Sequence, residues 1–171
     1  DDLLRFIMKT IVGITLIFTA LVTATVEAAY IKVDASGNQL QYSATSWSCV
    51  YDDVNELLWE VKTDDDDTHD KDNEYRWGGA AETAAGEENV YGDWDELING
   101  SNGESFCGYN DWRVPTKDEL REIVVTENSP TINTDYFPNT LAAWFWSSSP
   151  NASSVSYAWR FSFNIGYDDN Y

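Results

Sequence analysis

The chain contains two cysteines, Cys49 and Cys107, and no others. If they pair, the disulfide closes a loop of roughly 58 residues and stabilises the fold by about 4 kcal/mol, because it restricts the unfolded chain. The alternative is a reactive thiol, which needs a basic neighbour or a histidine to lower its pKa. Neither cysteine has a basic residue beside it, and the chain has one histidine. Whether the two cysteines form a disulfide or a reactive thiol depends on the cellular compartment, since disulfides persist in oxidising compartments.

The N-terminal segment indicates the compartment. Met8 and Lys9 precede an apolar run, residues 11–26, and Ala28 follows as a small residue. A charged, an apolar and a small-residue region in this order are typical of a secretory signal peptide. At about 16 residues the run is shorter than the roughly 20 that a membrane-spanning helix needs, so a retained anchor is the less favoured alternative.

We therefore expect residues 1–28 to hold a short upstream stretch and a signal peptide that is cleaved after Ala28. The mature protein is then periplasmic, cell-surface or secreted, with no membrane attachment. An oxidising compartment favours a disulfide between Cys49 and Cys107.

Charge excludes several classes of partner. Thirty acidic residues stand against ten basic ones, which gives a formal net charge of −20. A field of this sign repels nucleic-acid phosphates, anionic membranes and sulfated polysaccharides. With 43% hydrophobic and 15% aromatic residues in a chain of 171, there is enough apolar material for one core of single-domain size. We expect one globular domain that binds no nucleic acid.

Short strand-like runs open the exported part of the chain. They are residues 30–33, 47–51 and 57–61. A polar stretch, residues 52–56, lies between the last two and has the composition of a turn. This spacing predicts a β-hairpin.

The stretch from residue 63 to residue 103 is rich in Asp, Glu, Gly, Ala and Asn. Such a composition is typical of loops. One short helix is predicted inside it at residues 93–99, stopped by Gly100. Four aromatic residues are expected to pin this long irregular region to the core: Tyr75, Trp77, Tyr91 and Trp94.

The clearest helix signal follows Pro115. Thr116 as N-cap and Glu119 three residues later form a capping box ahead of the apolar Leu120. We predict a helix that continues to about Asn128.

Two further strands are predicted near the C-terminus, at residues 144–148 and 157–164. In the second, large aromatic residues alternate with small or polar ones, which is the period of a half-buried strand. The aromatic positions are Tyr157, Trp159, Phe161 and Phe163. Strands, a helix and strands again along the chain indicate an α+β fold.

One segment carries a resemblance to a known family. Residues 107–116 read CGYNDWRVPT, with Glu119 and Leu120 after them. This segment resembles the central motif of the Lcl C-terminal domain family, named for bacterial collagen-like adhesins. Flanking segments match the family in the same order, and the resemblance extends from Trp47 to the C-terminus. The matching flanks are Val50-Tyr51-Asp52, Leu57-Leu58-Trp59-Glu60, Tyr75-Arg76-Trp77, Thr131-Ile132-Asn133, Phe137-Pro138-Asn139, Phe145-Trp146-Ser147-Ser148 and Ala158-Trp159.

The resemblance implies a C-type-lectin-like α+β fold with short antiparallel sheets, one or two helices and long irregular loops. It implies surface attachment and ligand binding in an exported bacterial protein, without a catalytic mechanism. Residues 29–46 then form a lead-in strand, and residues 47–171 form the Lcl-like domain. Members usually continue to a basic, valine-rich final strand that this sequence lacks, so we expect a fragment truncated at its C-terminus.

Within the motif, elementary chemistry gives structural roles. Trp112 can fill the core, Thr116 starts the helix, and Asp111 and Arg113 can satisfy each other or nearby backbone groups. We expect the motif to maintain the fold.

An acidic run in the irregular region offers hard oxygen ligands of the kind that Ca²⁺ prefers. Its spacing does not match an EF-hand loop, and a solvated run of charges is the favoured interpretation. His69 lies in this run, and a packing or surface role is expected for it. The candidate calcium ligands are Asp64, Asp65, Asp66, Asp67 and Asp70. We expect no other cofactor.

The polar and aromatic tail has the chemistry that antibody loops use for recognition, since rigid aromatic residues alternate with hydrogen-bonding ones. An ordinary polar loop is the alternative interpretation. The candidate contact residues are Ser153, Ser154, Tyr157, Tyr167, Asp168 and Asn170. No arrangement of His, Lys or Cys indicates a catalytic site, so we do not expect an enzyme.

Together these features predict a binding or adhesion module that recognises a protein or a neutral glycan through its C-terminal loops. The alternative is a non-catalytic structural domain of the cell envelope that packs against another chain.

Overall fold

The computed structural model describes residues 30–78, 92–152 and 157–170. The expected signal peptide and its cleavage point after Ala28 lie outside these residues. So do Tyr91, which was expected to pin the irregular region, and two of the predicted contact residues, Ser153 and Ser154.

The first sheet has three antiparallel strands in the order β1-β2-β3. They are β1 (Tyr30–Val33), β2 (Cys49–Asp52) and β3 (Leu57–Glu60). The predicted hairpin joins β2 to β3. Asp52 is fully buried and holds the turn, because its carboxylate accepts the backbone N–H groups of Val54 at 3.0 Å and Asn55 at 3.1 Å. The lead-in strand β1 pairs along the whole of β2 and is therefore part of the same sheet.

The described residues in the middle of the chain form two short parallel strands, one helix and one 3-10 turn. They are β4 (Tyr75–Arg76), β5 (Gly92–Asp93), α1 (Trp94–Gly103) and the turn Phe106–Gly108. The prediction that Gly100 stops the helix is wrong. A Cβ at Gly100 would lie 3.3 Å from Cγ2 of Thr68, so this glycine allows close contact between the helix and the preceding loop.

Aromatic side chains do pin the irregular region. The indole N–H of Trp77 donates to the backbone oxygen of Ser147 at 2.9 Å, and its ring lies 5.3 Å from that of Trp94. The hydroxyl of Tyr75 donates to the backbone oxygen of Thr68 at 2.7 Å. Tyr75, Trp77 and Trp94 thus hold the irregular region in place as expected, and the expectation for Tyr91 lies outside the described residues.

Helix α2 (Lys117–Glu122) begins with the predicted capping box. Thr116 Oγ1 accepts the backbone N–H of Glu119, and the Glu119 carboxylate accepts the backbone N–H of Thr116 at 2.8 Å. Arg113 also donates two hydrogen bonds to this carboxylate. That pairing, which outweighs the opposing effect of burial, lowers the pKa of Glu119 to about 2. Of the two alternatives expected for Arg113, the structure shows the backbone one, because Nη1 of Arg113 also donates to the backbone oxygen of Val114 at 3.5 Å; its charged partner is Glu119 and not Asp111.

The predicted extension of this helix to Asn128 is also wrong. Ile123 caps the helix, and Val124 instead forms an antiparallel bridge with Ile132. The N–H of Val125 donates to the oxygen of Thr131 at 3.1 Å. Two consecutive valines favour this extended backbone, since β-branched side chains lose rotamer freedom in a helix.

The second sheet has three antiparallel strands in the order β6-β7-β8. They are β6 (Trp144–Pro150), β7 (Ala158–Ser162) and β8 (Tyr167–Asn170). The predicted half-buried strand is the central strand of this sheet. Phe161 faces the core, and Ala158 and Ser162 on its other side are also buried. β8 is a difference from the sequence analysis, which placed these residues in a polar loop.

Two apolar clusters lie under these elements. The larger joins α2, β7 and the segment around Ile132, and its members are Val50, Val61, Leu120, Ile123, Ile132, Phe137, Phe161 and Phe163. The smaller contains Val33 and the disulfide between Cys49 and Cys107, whose Cα atoms are 6.5 Å apart. The predicted disulfide is thus present, and both cysteines are fully buried.

Trp112 packs against the smaller cluster, as expected. Its indole N–H donates to the backbone oxygen of Phe106 at 2.9 Å. The side chain of Asn102 accepts the backbone N–H of Trp112 at 2.6 Å and donates to its oxygen at 3.1 Å. The family motif is therefore fastened to the end of α1.

A close approach at the disulfide makes Gly37 sensitive to substitution. Its φ is +87°, and a Cβ there would lie 2.7 Å from the backbone oxygen of Cys107. We expect Gly37→Ala to lower the free energy of unfolding by about 2–3 kcal/mol in urea denaturation, because the left-handed backbone and the clash both cost energy. Gly103→Ala is the control, since a Cβ there meets no atom within 4 Å. Equal stability of the two variants would contradict the prediction.

The described residues therefore form an α+β domain with two three-stranded antiparallel sheets and two helices, which confirms the predicted fold class. The C-type-lectin-like topology stays a prediction.

Candidate functional site

The sheet β6-β7-β8 presents a face on which side chains from all three strands align. Residues directly opposite each other on neighbouring strands point to the same side of a sheet. Two adjacent rows result from the register, and we call their side chains the outer face. The first row is Trp144, Ser162 and Tyr167, and the second is Trp146, Arg160 and Asp169.

The first row places two exposed aromatic rings in contact. Ser162 lies between Trp144 and Tyr167 in the central strand and is 1% exposed. Because its side chain is small, the two rings meet across it with their centroids 5.8 Å apart, edge to face. Trp144 remains 39% exposed and Tyr167 50% exposed. The rings thus hold each other in position while both stay accessible to a partner.

The second row adds a charged pair beside these rings. The guanidinium carbon of Arg160 lies 4.3 Å from the centroid of Trp144, a cation–π contact. Arg160 Nη2 also lies 3.9 Å from the carboxylate of Asp169, whose side chain is 45% exposed. The outer face therefore combines three aromatic side chains, of which Trp144 and Tyr167 are exposed, with one cation and one anion.

The opposite face of the same sheet is already occupied. Phe145 and Phe161 pack into the larger core cluster. Asp168 accepts hydrogen bonds from Arg121 at 3.0 and 2.5 Å, and its carboxylate lies 3.9 Å from Lys117 Nζ. These ion pairs attach β8 to α2, which leaves the outer face as the side turned away from the core.

The residues that the sequence predicted as a contact surface do not all lie on one face. Tyr167 lies on the outer face, whereas Asp168 lies on the opposite face in the ion pairs just described. Asn170 is exposed at the end of β8, and Tyr157 is 48% exposed just before β7. Ser153 and Ser154 lie outside the described residues.

The acidic run is organised around one buried carboxylate. Asp70 is 4% exposed, and it accepts the backbone N–H groups of Asp65 at 2.6 Å, Asp66 at 2.9 Å and Asp72 at 2.7 Å. These bonds, that of Asp72 foremost, lower the pKa of Asp70. Asp70 thereby fixes the loop by local hydrogen bonds.

The other members of the run point to solvent or to nearby partners. Asp64 pairs with Lys71, and Asp65 accepts the hydroxyl of Thr63 at 2.8 Å. Asp66 and Asp67 are exposed. Across the three described stretches of chain, no three His, Cys, Asp or Glu side chains converge closely enough to hold a metal ion. Calcium binding by this run stays a prediction.

His69 is clamped between two carboxylates. Its Nδ1 lies 2.6 Å from Glu60 Oε1 on β3, and its Nε2 lies 2.6 Å from Glu104 Oε1 just after α1. The imidazole stacks on Phe106 with ring centroids 3.9 Å apart. One side chain thus connects the first sheet, the acidic loop and the helix.

The charges of this clamp reinforce each other. Burial disfavours the imidazolium, but hydrogen bonds and charges from Glu60 and Glu104 outweigh it and raise the pKa of His69. Burial likewise opposes ionisation of Glu60, but Lys62 and His69 outweigh it and lower the pKa of that carboxyl. The geometry indicates an imidazolium held by two carboxylates.

Sequence reasoning missed both the outer face and the clamp. Arg160 occupies a polar position in the alternation of residues 157–164, and that position could have indicated a charged group beside aromatic neighbours on the same face. The clamp joins residues 9 and 35 positions apart, and no local pattern signals such a pairing.

The observed architecture defines a disulfide-linked α+β domain with an exposed aromatic and charged sheet face. The family model of the Lcl C-terminal domain matches residues 48–171, so the chain belongs to the Lcl C-terminal domain family. Membership indicates a bacterial surface-associated domain. No curated protein and no solved structure matches the chain significantly.

None of the helices among the described residues is long and apolar enough to cross a membrane.

Proposed function

We propose that this domain is an exported recognition module whose outer face binds a partner at the bacterial surface. The observation that supports this most is the pair of exposed rings, Trp144 and Tyr167, which Arg160 and Asp169 flank on the same side of one sheet. Family membership supports a location at the bacterial surface, and the signal-like composition of the N-terminal segment supports export.

The chemistry of the outer face favours a protein partner. Tryptophan, tyrosine and arginine are enriched among the residues that contribute most to binding at protein interfaces. A sheet face also presents its side chains side by side, which suits a broad, complementary surface better than an enclosed small molecule. Arg160 and Asp169 carry opposite charges, so they can set the orientation of a partner without adding to the large negative charge of the chain.

We propose no catalytic activity for the domain. Both cysteines are in the disulfide, so neither offers a thiol nucleophile. His69 is occupied on both ring nitrogens by carboxylates. Recognition requires neither group to be reactive.

The test is to screen the purified full chain against an array of surface proteins and neutral glycans. We expect a protein ligand, and we expect the double variant Trp144→Ala/Tyr167→Ala to bind it at least about 30-fold more weakly, the equivalent of about 2 kcal/mol. Tyr109→Ala is the matched control, because Tyr109 is 51% exposed and does not belong to the outer face. Tyr109→Ala should keep the wild-type melting temperature, and the double variant should lower it by only a few degrees, since it removes the ring pair and the contact of Trp144 with Arg160.

Two results would contradict the proposal. Unchanged affinity of the double variant would place recognition elsewhere on the molecule. If the chain binds no member of the array and always co-purifies with one cell-envelope protein, the alternative of a structural domain without a diffusible ligand is favoured. Binding to a neutral glycan alone, with an affinity that falls in Trp144→Ala/Tyr167→Ala, would retain recognition by the outer face and exclude a protein partner.

A further inference from the structure

A groove lies on the first sheet, away from the outer face. It is shallow, open to solvent and about 440 Å³ in volume. This volume is within the range of roughly 300–1,000 Å³ that is common for small-molecule sites. Its walls come from β1, the segment after it and the loop after Ile132. Its lining includes Lys32, Tyr42, Trp47 and Asp135.

A buried lysine organises the aromatic wall of this groove. Lys32 is 7% exposed, and its ammonium lies 3.5 Å from the ring centroid of Trp47. The rings of Tyr42 and Tyr136 lie 5.6 and 5.9 Å from the same nitrogen. Lys32 also donates to the backbone oxygen of Ala44 at 2.9 Å, which holds the wall against β1. The aromatic rings are thus positioned before any ligand arrives.

This arrangement disfavours a cationic ligand at the aromatic wall. An aromatic cage attracts a cation through the negative faces of its rings. Here Lys32 of the chain itself takes that place, so a second cation would meet both an occupied cage and a like charge. An anionic ligand is disfavoured for a different reason, because the net charge of −20 repels it and the one groove cation is buried.

The polar wall of the groove offers hydrogen bonds that the protein leaves unused. Ser43, Thr45 and Thr134 contribute hydroxyl groups, and Asp135 contributes a carboxylate. Within residues 30–78, 92–152 and 157–170, the structure shows no side-chain hydrogen bond for any of these four. Tyr42 adds an aromatic ring that is 69% exposed at the rim.

We infer that this groove, which we call the Tyr42 groove, is a binding site for a neutral saccharide. A sugar ring has an apolar face of C–H groups that packs on an aromatic ring, and hydroxyls around its edge that donate to carboxylates and exchange bonds with other hydroxyls. Tyr42 supplies the ring, Asp135 the carboxylate, and the serine and threonines the remaining partners. The site is separate from the outer face and does not depend on the function proposed for it.

The test uses the full chain and a panel of neutral oligosaccharides built from glucose, mannose, galactose or N-acetylglucosamine. Binding is measured by calorimetry and by ligand-detected NMR up to about 10 mM, which reaches affinities weaker than 1 mM. We expect at least one member to bind. Tyr42→Ala should weaken that binding at least about tenfold, and Asp135→Asn several-fold. Both residues are exposed, so both variants should melt like the wild type.

The controls separate this site from the outer face. Trp144→Ala/Tyr167→Ala should leave saccharide affinity unchanged, and Tyr42→Ala should leave affinity for a protein partner unchanged. Absence of binding across the panel would overturn the inference. So would a bound saccharide whose affinity falls with the outer-face variant and not with Tyr42→Ala.

Discussion

Replacing both cysteines, in the variant Cys49→Ala/Cys107→Ala, is expected to lower the free energy of unfolding by about 4 kcal/mol. The disulfide closes a loop of 58 residues, and without it the unfolded chain regains the freedom that the bond removed. A loss of this size is a large fraction of the roughly 5–15 kcal/mol that holds a domain of this class together. The variant should therefore unfold at a much lower urea concentration.

Reduction of the wild-type protein is the matched control for this prediction. Reduced wild type keeps both sulfur atoms but loses the bond, so it should lose nearly the same free energy as the double variant. A reduced protein that unfolds at the same urea concentration as the oxidised one would show that the disulfide contributes no stability. Two titratable thiols in the unfolded, unreduced protein would show that the bond does not form.

The carboxylate clamp around His69 should make stability depend on pH between about 6 and 9, where no other side chain of ordinary pKa titrates. The pKa of His69 is raised above its ordinary 6.5, so its stabilising contribution is complete below that value and is lost as the pH rises through the raised pKa. We expect the free energy of unfolding to fall as the pH rises above 6.5, by up to about 1.5–3 kcal/mol, the range for hydrogen bonds to charged groups.

Glu60 makes the stabilisation by this clamp fall at low pH as well. Its pKa is lowered below 4.5, so its contribution is present above that value and is lost as the pH falls through the lowered pKa. The clamp is therefore strongest between about 4.5 and 6.5. Urea denaturation at a series of pH values measures both limbs of this profile.

His69→Gln tests whether this residue causes the alkaline limb. The variant should be less stable at pH 6 by about 2 kcal/mol and should show no further loss up to pH 9, since glutamine keeps part of the hydrogen bonding without a titrating charge. Glu104→Gln, which removes one of the two charges, should give an intermediate profile. A wild-type profile that persists in His69→Gln would assign the pH dependence to other groups.

Signals that lie within a few residues of each other predicted local structure well. The capping box of Thr116 and Glu119 begins α2, and the polar turn after Asp52 joins β2 to β3, because both depend on contacts inside one turn of chain. Where distant contacts decide the outcome, the same reasoning was wrong. Val124 leaves the helix to pair with Ile132, and Gly100 continues a helix in which its missing side chain lets Thr68 approach.

The candidate sites show the same division. Residues 167–170 have low strand propensity, yet they form β8 because β7 pairs with them and Arg121 binds Asp168. The polar tail was therefore a correct place to look for exposed aromatic residues, and Tyr167 lies on the outer face. Its neighbour in the sequence faces the opposite way, since successive side chains of a strand alternate.

Footprinting of the bound complex tests the recognition surface most directly. Exposed Trp and Tyr side chains are oxidised by hydroxyl radicals, and a bound partner protects the rings that it covers. With the protein ligand bound, we expect Trp144 and Tyr167 to be protected, while Tyr109, which is 51% exposed and away from the outer face, reacts as in the free protein. Protection of Tyr109 with unchanged reactivity of Trp144 and Tyr167 would contradict the outer face as the binding surface.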